Sequence, residues 1–238
     1  MLNLRDLSAG VYGAWRMAWA DAGGLAHFDD SERGFWLSFW AAVIAAPAYA
    51  LVVAINVATP DGSGPPIDGT RLLMVELIAY VIGWTAFPLA MVTVADKLGR
   101  AQFYSRYIVA NNWGGLLEMT AFLPAVAAAQ AFDALTVLPA LVAIAMFAYQ
   151  WFIARTALSL SNRQALIPVA VNFVIGLTVA LVARELIDPP QSPASKPQVS
   201  MQMSPEQRAQ FEATLDQMPA ERAAIFRQSQ GRDASQAP

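Results

Sequence analysis

The chain has 238 residues, of which 56% are hydrophobic and only 14% charged, where a soluble domain carries about 25% charged residues. A formal net charge of -3 with no Lys/Arg-rich block leaves no electrostatic footprint for nucleic acid. The absence of cysteine excludes disulfides, thiolate metal sites and cysteine nucleophiles, and the single histidine, His27, excludes a His-rich metal centre and weighs against a Ser-His-Asp arrangement.

Residues 1–34 are expected to form a cytoplasmic amphipathic segment. Leu4, Leu7, Val11, Trp15 and Trp19 fall at helical spacing, with Arg5, Asp6 and Arg16 elsewhere on the wheel, the pattern of a helix lying in the membrane interface with its rings at headgroup level. The stretch AGG at 22–24 ends that helix, and Asp30 or Ser31 is placed to cap the next one. His27 reads as an interfacial residue, since nothing nearby completes a metal set. The first 30 residues lack the short apolar core and small-residue cleavage site of a secretory signal, so the first span is expected to be an uncleaved anchor.

Five stretches approach the roughly 20 apolar residues that a spanning helix needs: 35–58, 72–95, 107–131, 135–154 and 165–183. The expected architecture is all-α, a polytopic membrane bundle of five transmembrane helices occupying 35–187. In span one, Ala42, Ala46, Ala50 and Ala54 make a stripe of small residues of the kind that lets helix backbones approach. Residues 59–70, TPDGSGPPIDGT, are a run of helix breakers and read as an irregular loop. Each span carries one proline, Pro47, Pro88, Pro124, Pro139 and Pro168, a residue commoner in membrane helices than in soluble ones. The connection at Asp133 is so short that spans three and four must form an antiparallel pair, with Asp133 as cap.

Arg5, Arg16 and Arg33 precede span one, Lys97, Arg100 and Arg106 lie between spans two and three, and Arg155 and Arg163 lie between four and five. The connections on the alternate side hold only Arg71, with Arg184 at the end of span five. The positive-inside rule therefore predicts a cytoplasmic N-terminus and a periplasmic C-terminus in a bacterial-type inner membrane. Beyond the spans, 188–202 is a proline-rich linker. A degenerate repeat in 203–229 predicts two short helices, near 205–217 and 220–229, too small for their own core and suited to contact with a protein partner. Residues 230–238 read as disordered.

The polar residues of span three define the candidate sites. At about 1.5 Å per residue from Arg106, Asn111 and Asn112 lie about 8 Å in, level with a Trp113 ring expected in the aromatic belt. Gln150, on the helix running the other way, reaches the same level, so these three form an interfacial polar cluster and NNWGG reads as a close-packing device. Glu118 lies about 18 Å in by the same count, and no Lys, Arg or His within a span pairs with it. It is expected to be protonated and hydrogen-bonded, or to face a water-filled cavity. Asn172 and Thr85 fall at similar depth and complete a candidate intramembrane polar site with Glu118. Glu76, near the outer end of span two, reads as snorkelling to the surface.

Five spans with an amphipathic cytoplasmic N-terminus and an outward C-terminus resemble the layout of the Yip-domain family of membrane proteins, over about 35–185. The resemblance implies a non-enzymatic protein acting through lipids or partners, and carries over no functional residue. The leading expectation is thus a scaffold or accessory subunit without cofactor or metal, touching membrane lipids and a partner through its tail. The alternative is a small transporter or channel component using Glu118 and Asn172 for a proton, cation or polar solute, for which a homo-oligomer could form the pathway. No paired carboxylates, nucleophile constellation or phosphate loop points to an enzyme.

Overall fold

The computed structural model describes residues 2–58 and 69–187. Most of the breaker loop and all of the chain after Ile187 lie outside the described residues, and with them the expected linker and the tail helices. The described residues form seven α-helices and no strand: α1 (Leu4–Ala18), α2 (Glu32–Ser38), α3 (Trp40–Ala58), α4 (Gly69–Lys97), α5 (Tyr104–Ala131), α6 (Leu138–Ala157) and α7 (Leu166–Ile187). Four stretches are long and apolar enough to cross a membrane: Glu32–Val57, Gly69–Lys97, Asp133–Ala157 and Leu166–Ile187. The chain is therefore all-helical and consistent with a membrane protein. α5 has 28 residues but is not among the four, because its polar residues interrupt the apolar run.

Local chemistry sets the helix ends. The Ser31 hydroxyl oxygen accepts from the Gly34 amide at 3.2 Å and caps α2. The first expected span is divided at Phe39, next to a Ser38 hydroxyl that donates to the Phe35 carbonyl at 2.7 Å. Asp133 does not cap α6. It starts a short 3-10 turn, and α6 begins at Leu138 with Pro139 in its first turn, where proline's missing amide costs nothing. Gly69 and Thr70, read as loop, already belong to α4.

The bundle is packed tightly at one end. Phe87 and Met91 of α4, Tyr107 and Ile108 of α5, Ile153 and Ala154 of α6, and Ala165 just before α7 form one buried cluster. Arg106 closes the same end by donating from Nε to the Ala157 carbonyl at 2.8 Å, placing a cation at the negative C-terminus of α6. α7 buries only Pro168 and Ala183 along its length.

The N-terminal helix packs on the bundle through a face that the sequence reading did not single out. The predicted apolar stripe is there, but Leu4, Val11, Trp15 and Trp19 are exposed, while the buried face consists of Gly10, Gly13, Ala14 and Met17. Small residues on that face let α1 lie against α5, and Tyr149 of α6 donates to the Ala14 carbonyl at 2.9 Å. Trp113 is correspondingly not a belt residue. It is 4% exposed, and its indole fills the space that a side chain at Gly10 would need. In α3 the packed small face is Ala41 and Ala45, one residue out of register with the predicted stripe, and Ala50 and Ala54 are exposed. After α1, Asp21 accepts from the Gly23 amide at 2.8 Å and pairs with Arg16, and Arg16 also contacts the His27 ring at 3.1 Å. The Gly23 amide first, and Arg16 second, hold the Asp21 carboxyl below the usual carboxylate range.

Gly10→Leu should therefore destabilise the purified protein by about 1–3 kcal/mol, the usual scale of overpacking, read as a lower unfolding temperature in mild detergent. Gly176→Leu should be much better tolerated, because a Cβ there meets nothing within 4 Å.

Candidate functional site

Five consecutive residues of α5 face five different surroundings, because each step along a helix turns by about 100°. Asn111 faces a cavity. Asn112 Nδ2 donates to the Ser38 hydroxyl of α2 at 2.9 Å, wholly inside the protein. Trp113 packs under α1, and Gly114 sits against Ile153 and Tyr149 of α6. A Cβ on Gly115 would stand 3.3 Å from Cη2 of Trp84 on α4, so the missing side chain makes room for that ring.

The cavity has a volume of about 570 Å³ and is lined by residues of α3, α4, α5, α6 and α7. Asn111, Gln150 and Glu118 line one wall, where Gln150 Nε2 donates to Glu118 Oε1 at 2.8 Å. Asn172 lines the same cavity from α7. Asn111 is only 9% exposed, and its Oδ1 is buried without a hydrogen-bond partner. A buried acceptor left open costs about 1–3 kcal/mol, so its place on a cavity wall calls for a donor from outside the chain.

The aromatic side is equally ordered. Tyr49, Tyr80 and Trp84 form a continuous run, with ring centroids 4.7 Å and then 6.1 Å apart. Tyr49 donates its hydroxyl to Glu76 Oε2, and Tyr80 donates to the Ala42 carbonyl, each at 2.5 Å. Both phenol hydroxyls are thus engaged within the protein. Glu76 and Arg184 line the cavity toward the end where α4 begins and α7 finishes.

The predicted residues are therefore regrouped. Glu118 and Asn172 line one cavity, and so do Asn111, Asn112 and Gln150, which were placed apart as an interfacial cluster. Gln150 bonds Glu118 rather than the asparagines. Thr85 stands outside: it is exposed and donates to its own Val81 carbonyl at 2.8 Å. Its depth matches Glu118, but depth along an axis does not fix which face a residue occupies. Glu76 is held by Tyr49 rather than snorkelling free. Sequence reasoning missed Tyr49, Tyr80, Trp84 and Arg184. A signal was there, since Glu76, Tyr80, Gly83 and Phe87 on α4, and Asn172, Gly176, Ala180 and Ala183 on α7, repeat at helical spacing along the cavity faces.

Comparison with protein-family models, curated proteins and solved structures finds no match to this chain. The site must be interpreted from its own chemistry.

Glu118→Gln keeps a hydrogen-bonding partner for Gln150 and should melt close to the parent protein. Glu118→Leu leaves the Gln150 amide without its acceptor and should cost about 1–2 kcal/mol, the scale of interhelical polar contacts. Adding Gln150→Leu to it should recover part of that loss, measured as unfolding temperature in detergent.

Proposed function

We propose that the chain is a non-enzymatic, five-span inner-membrane protein of bacterial type that binds a small polar solute within its bundle, as a small transporter or a component of one. The observation that carries this reading is the cavity that joins Glu118, Gln150, Asn111 and Asn172 in the middle of an apolar bundle. Such groups are expensive inside a membrane and mark substrate or ion pathways. A scaffold would gain nothing from keeping an open acceptor beside an empty volume. Gly83 and Gly176 add support, because both line the cavity and have only open space where a side chain would be.

α5 supplies the fifth span. Its 28 residues are long enough at about 1.5 Å each to cross the hydrocarbon, and its polar turn faces protein and cavity rather than lipid. The positive-inside rule orients the bundle, with Arg33, Lys97, Arg106 and Arg155 at the packed end and therefore cytoplasmic. In this orientation the cavity lies toward the periplasm and the buried cluster of Phe87, Met91, Tyr107 and Ile153 closes the cytoplasmic side. The scaffold reading, with the Yip-domain layout and a partner bound through 203–229, keeps its support in the sequence alone.

Two measurements test this function. A cysteine placed by Ser229→Cys should react with an impermeant reagent in intact cells and one placed by Gln102→Cys should not; the reverse pattern overturns the orientation. In a thermal-shift panel of neutral, anionic and cationic small solutes, at least one should stabilise the parent protein by mass action. That stabilisation should be lost or weakened in Gly176→Leu, which puts a side chain into the cavity from a position where a Cβ meets nothing within 4 Å.

A further inference from the structure

We infer that the cavity recognises a protonated organic amine, with its N–H donors set against Glu118 and Asn111 and an apolar body lying along Tyr49, Tyr80 and Trp84. The inference rests on the solute-binding reading above and names the chemical class of the solute. Three independent features converge on it.

The first is the balance of donors and acceptors. Among the described residues only Gln150 hydrogen-bonds the Glu118 carboxyl, and it does so at Oε1, leaving Oε2 for another donor. Asn111 Oδ1 is a second acceptor, buried and without a hydrogen-bond partner, on a residue that also lines the cavity. Two open acceptors, one of them a carboxylate oxygen, call for a ligand that brings several N–H donors and a positive charge. The charge is needed for a further reason: Glu118 has no cation among its described contacts, and a bound ammonium would neutralise it in place.

The second feature is the aromatic wall. Aromatic side chains offer large, rigid apolar contact area, which suits the hydrocarbon body of an amine whose charged end is held elsewhere. Here the rings of Tyr49, Tyr80 and Trp84 run side by side, and the two tyrosine hydroxyls are already engaged with Glu76 and Ala42. They present ring surface rather than hydroxyl groups, and they are ordered before any ligand arrives, which lowers the entropic cost of binding.

The third feature is size. A volume of about 570 Å³ lies in the range of roughly 300–1,000 Å³ occupied by small-molecule sites and is far more than a bare ion fills. Charge decides the orientation of the ligand. Arg184, the one cation on the cavity wall among the described residues, lies at the end of α7 away from Asn111, so the ammonium belongs at the Glu118 end. The same chemistry has two sources, a free amine or the ethanolamine headgroup of a lipid entering between the helices.

The test measures binding to the full chain in nanodiscs made from phosphatidylglycerol alone, with four probes of similar shape: phenethylamine, its trimethylammonium analogue, 2-phenylethanol and phenylpropionate. Phenethylamine should bind most tightly, and the trimethylammonium compound, which keeps the charge but has no N–H, should bind more weakly. Glu118→Gln should weaken phenethylamine by about tenfold or more, as expected for losing a charge-assisted hydrogen bond, while keeping its unfolding temperature. Gly176→Leu should abolish or weaken binding. Adding phosphatidylethanolamine to the discs separates the sources: competition with phenethylamine identifies the lipid headgroup, and unchanged binding identifies the free amine. If 2-phenylethanol or phenylpropionate binds as well as phenethylamine and is lost in Gly176→Leu, the amine inference is overturned while the solute-binding function stands. If no probe binds in a manner sensitive to Gly176→Leu, the amine inference falls. Failure of the wider solute panel as well would remove the solute-binding function with it.

Discussion

The fold depends on the enclosure of α5. Residues 107–114 are buried without a break, which an amphipathic surface helix cannot achieve, since its outer face must meet solvent or lipid. Enclosure requires a neighbour on every side, and the chain supplies α1, α2, α3, α4 and α6. The turn 111–115 makes this enclosure close: two glycines let α6 and the Trp84 ring approach, a tryptophan fills the groove left by Gly10, and Asn112 reaches Ser38. Each of these contacts uses the absence or presence of one particular side chain, so the register of four elements is decided within one and a half turns of one helix.

The cavity follows from the same constraint. Packing around α5 is dense where α4 ends and α6 ends, and large side chains such as Phe87, Tyr107 and Ile153 interlock there. Farther along, α4 and α7 present glycine and alanine to the centre, and neither Gly83 nor Gly176 is filled by a neighbour. Small residues elsewhere in the bundle bring helices together. On these two faces they leave volume, which Tyr80 and Trp84 of α4 border. A bundle closed at one end and open along the other is a physical prerequisite for admitting a solute from one side.

Polar groups in the bundle fall into two kinds. Asn112 with Ser38, and Tyr149 with the Ala14 carbonyl, are paired within the protein and serve as cross-links between elements. Asn111 and Glu118 retain unused acceptor capacity on the cavity wall. Buried polar groups that are fully paired specify a unique packing, whereas partly paired ones cost stability unless something else completes them. That difference separates structure from site more sharply than depth or residue type does.

Composition and periodicity were enough to establish an all-helical chain with several stretches able to cross a membrane, because hydropathy over some 20 residues is a property of the local sequence. They also located the Ser31 cap, the short turn after α5 and the unusual carboxyl of Glu118. The azimuth of each side chain was beyond them, and azimuth decided the rest. Asn111 and Asn112 are neighbours in sequence with different roles, Thr85 shares the depth of Glu118 but faces away, and the exposed stripe of α1 is the conspicuous one while its glycine face does the packing. A helix turns by about 100° per residue, so which of these residues meet is settled only when the neighbouring helices are in place. Depth is written along one chain segment; a cavity wall is written across five.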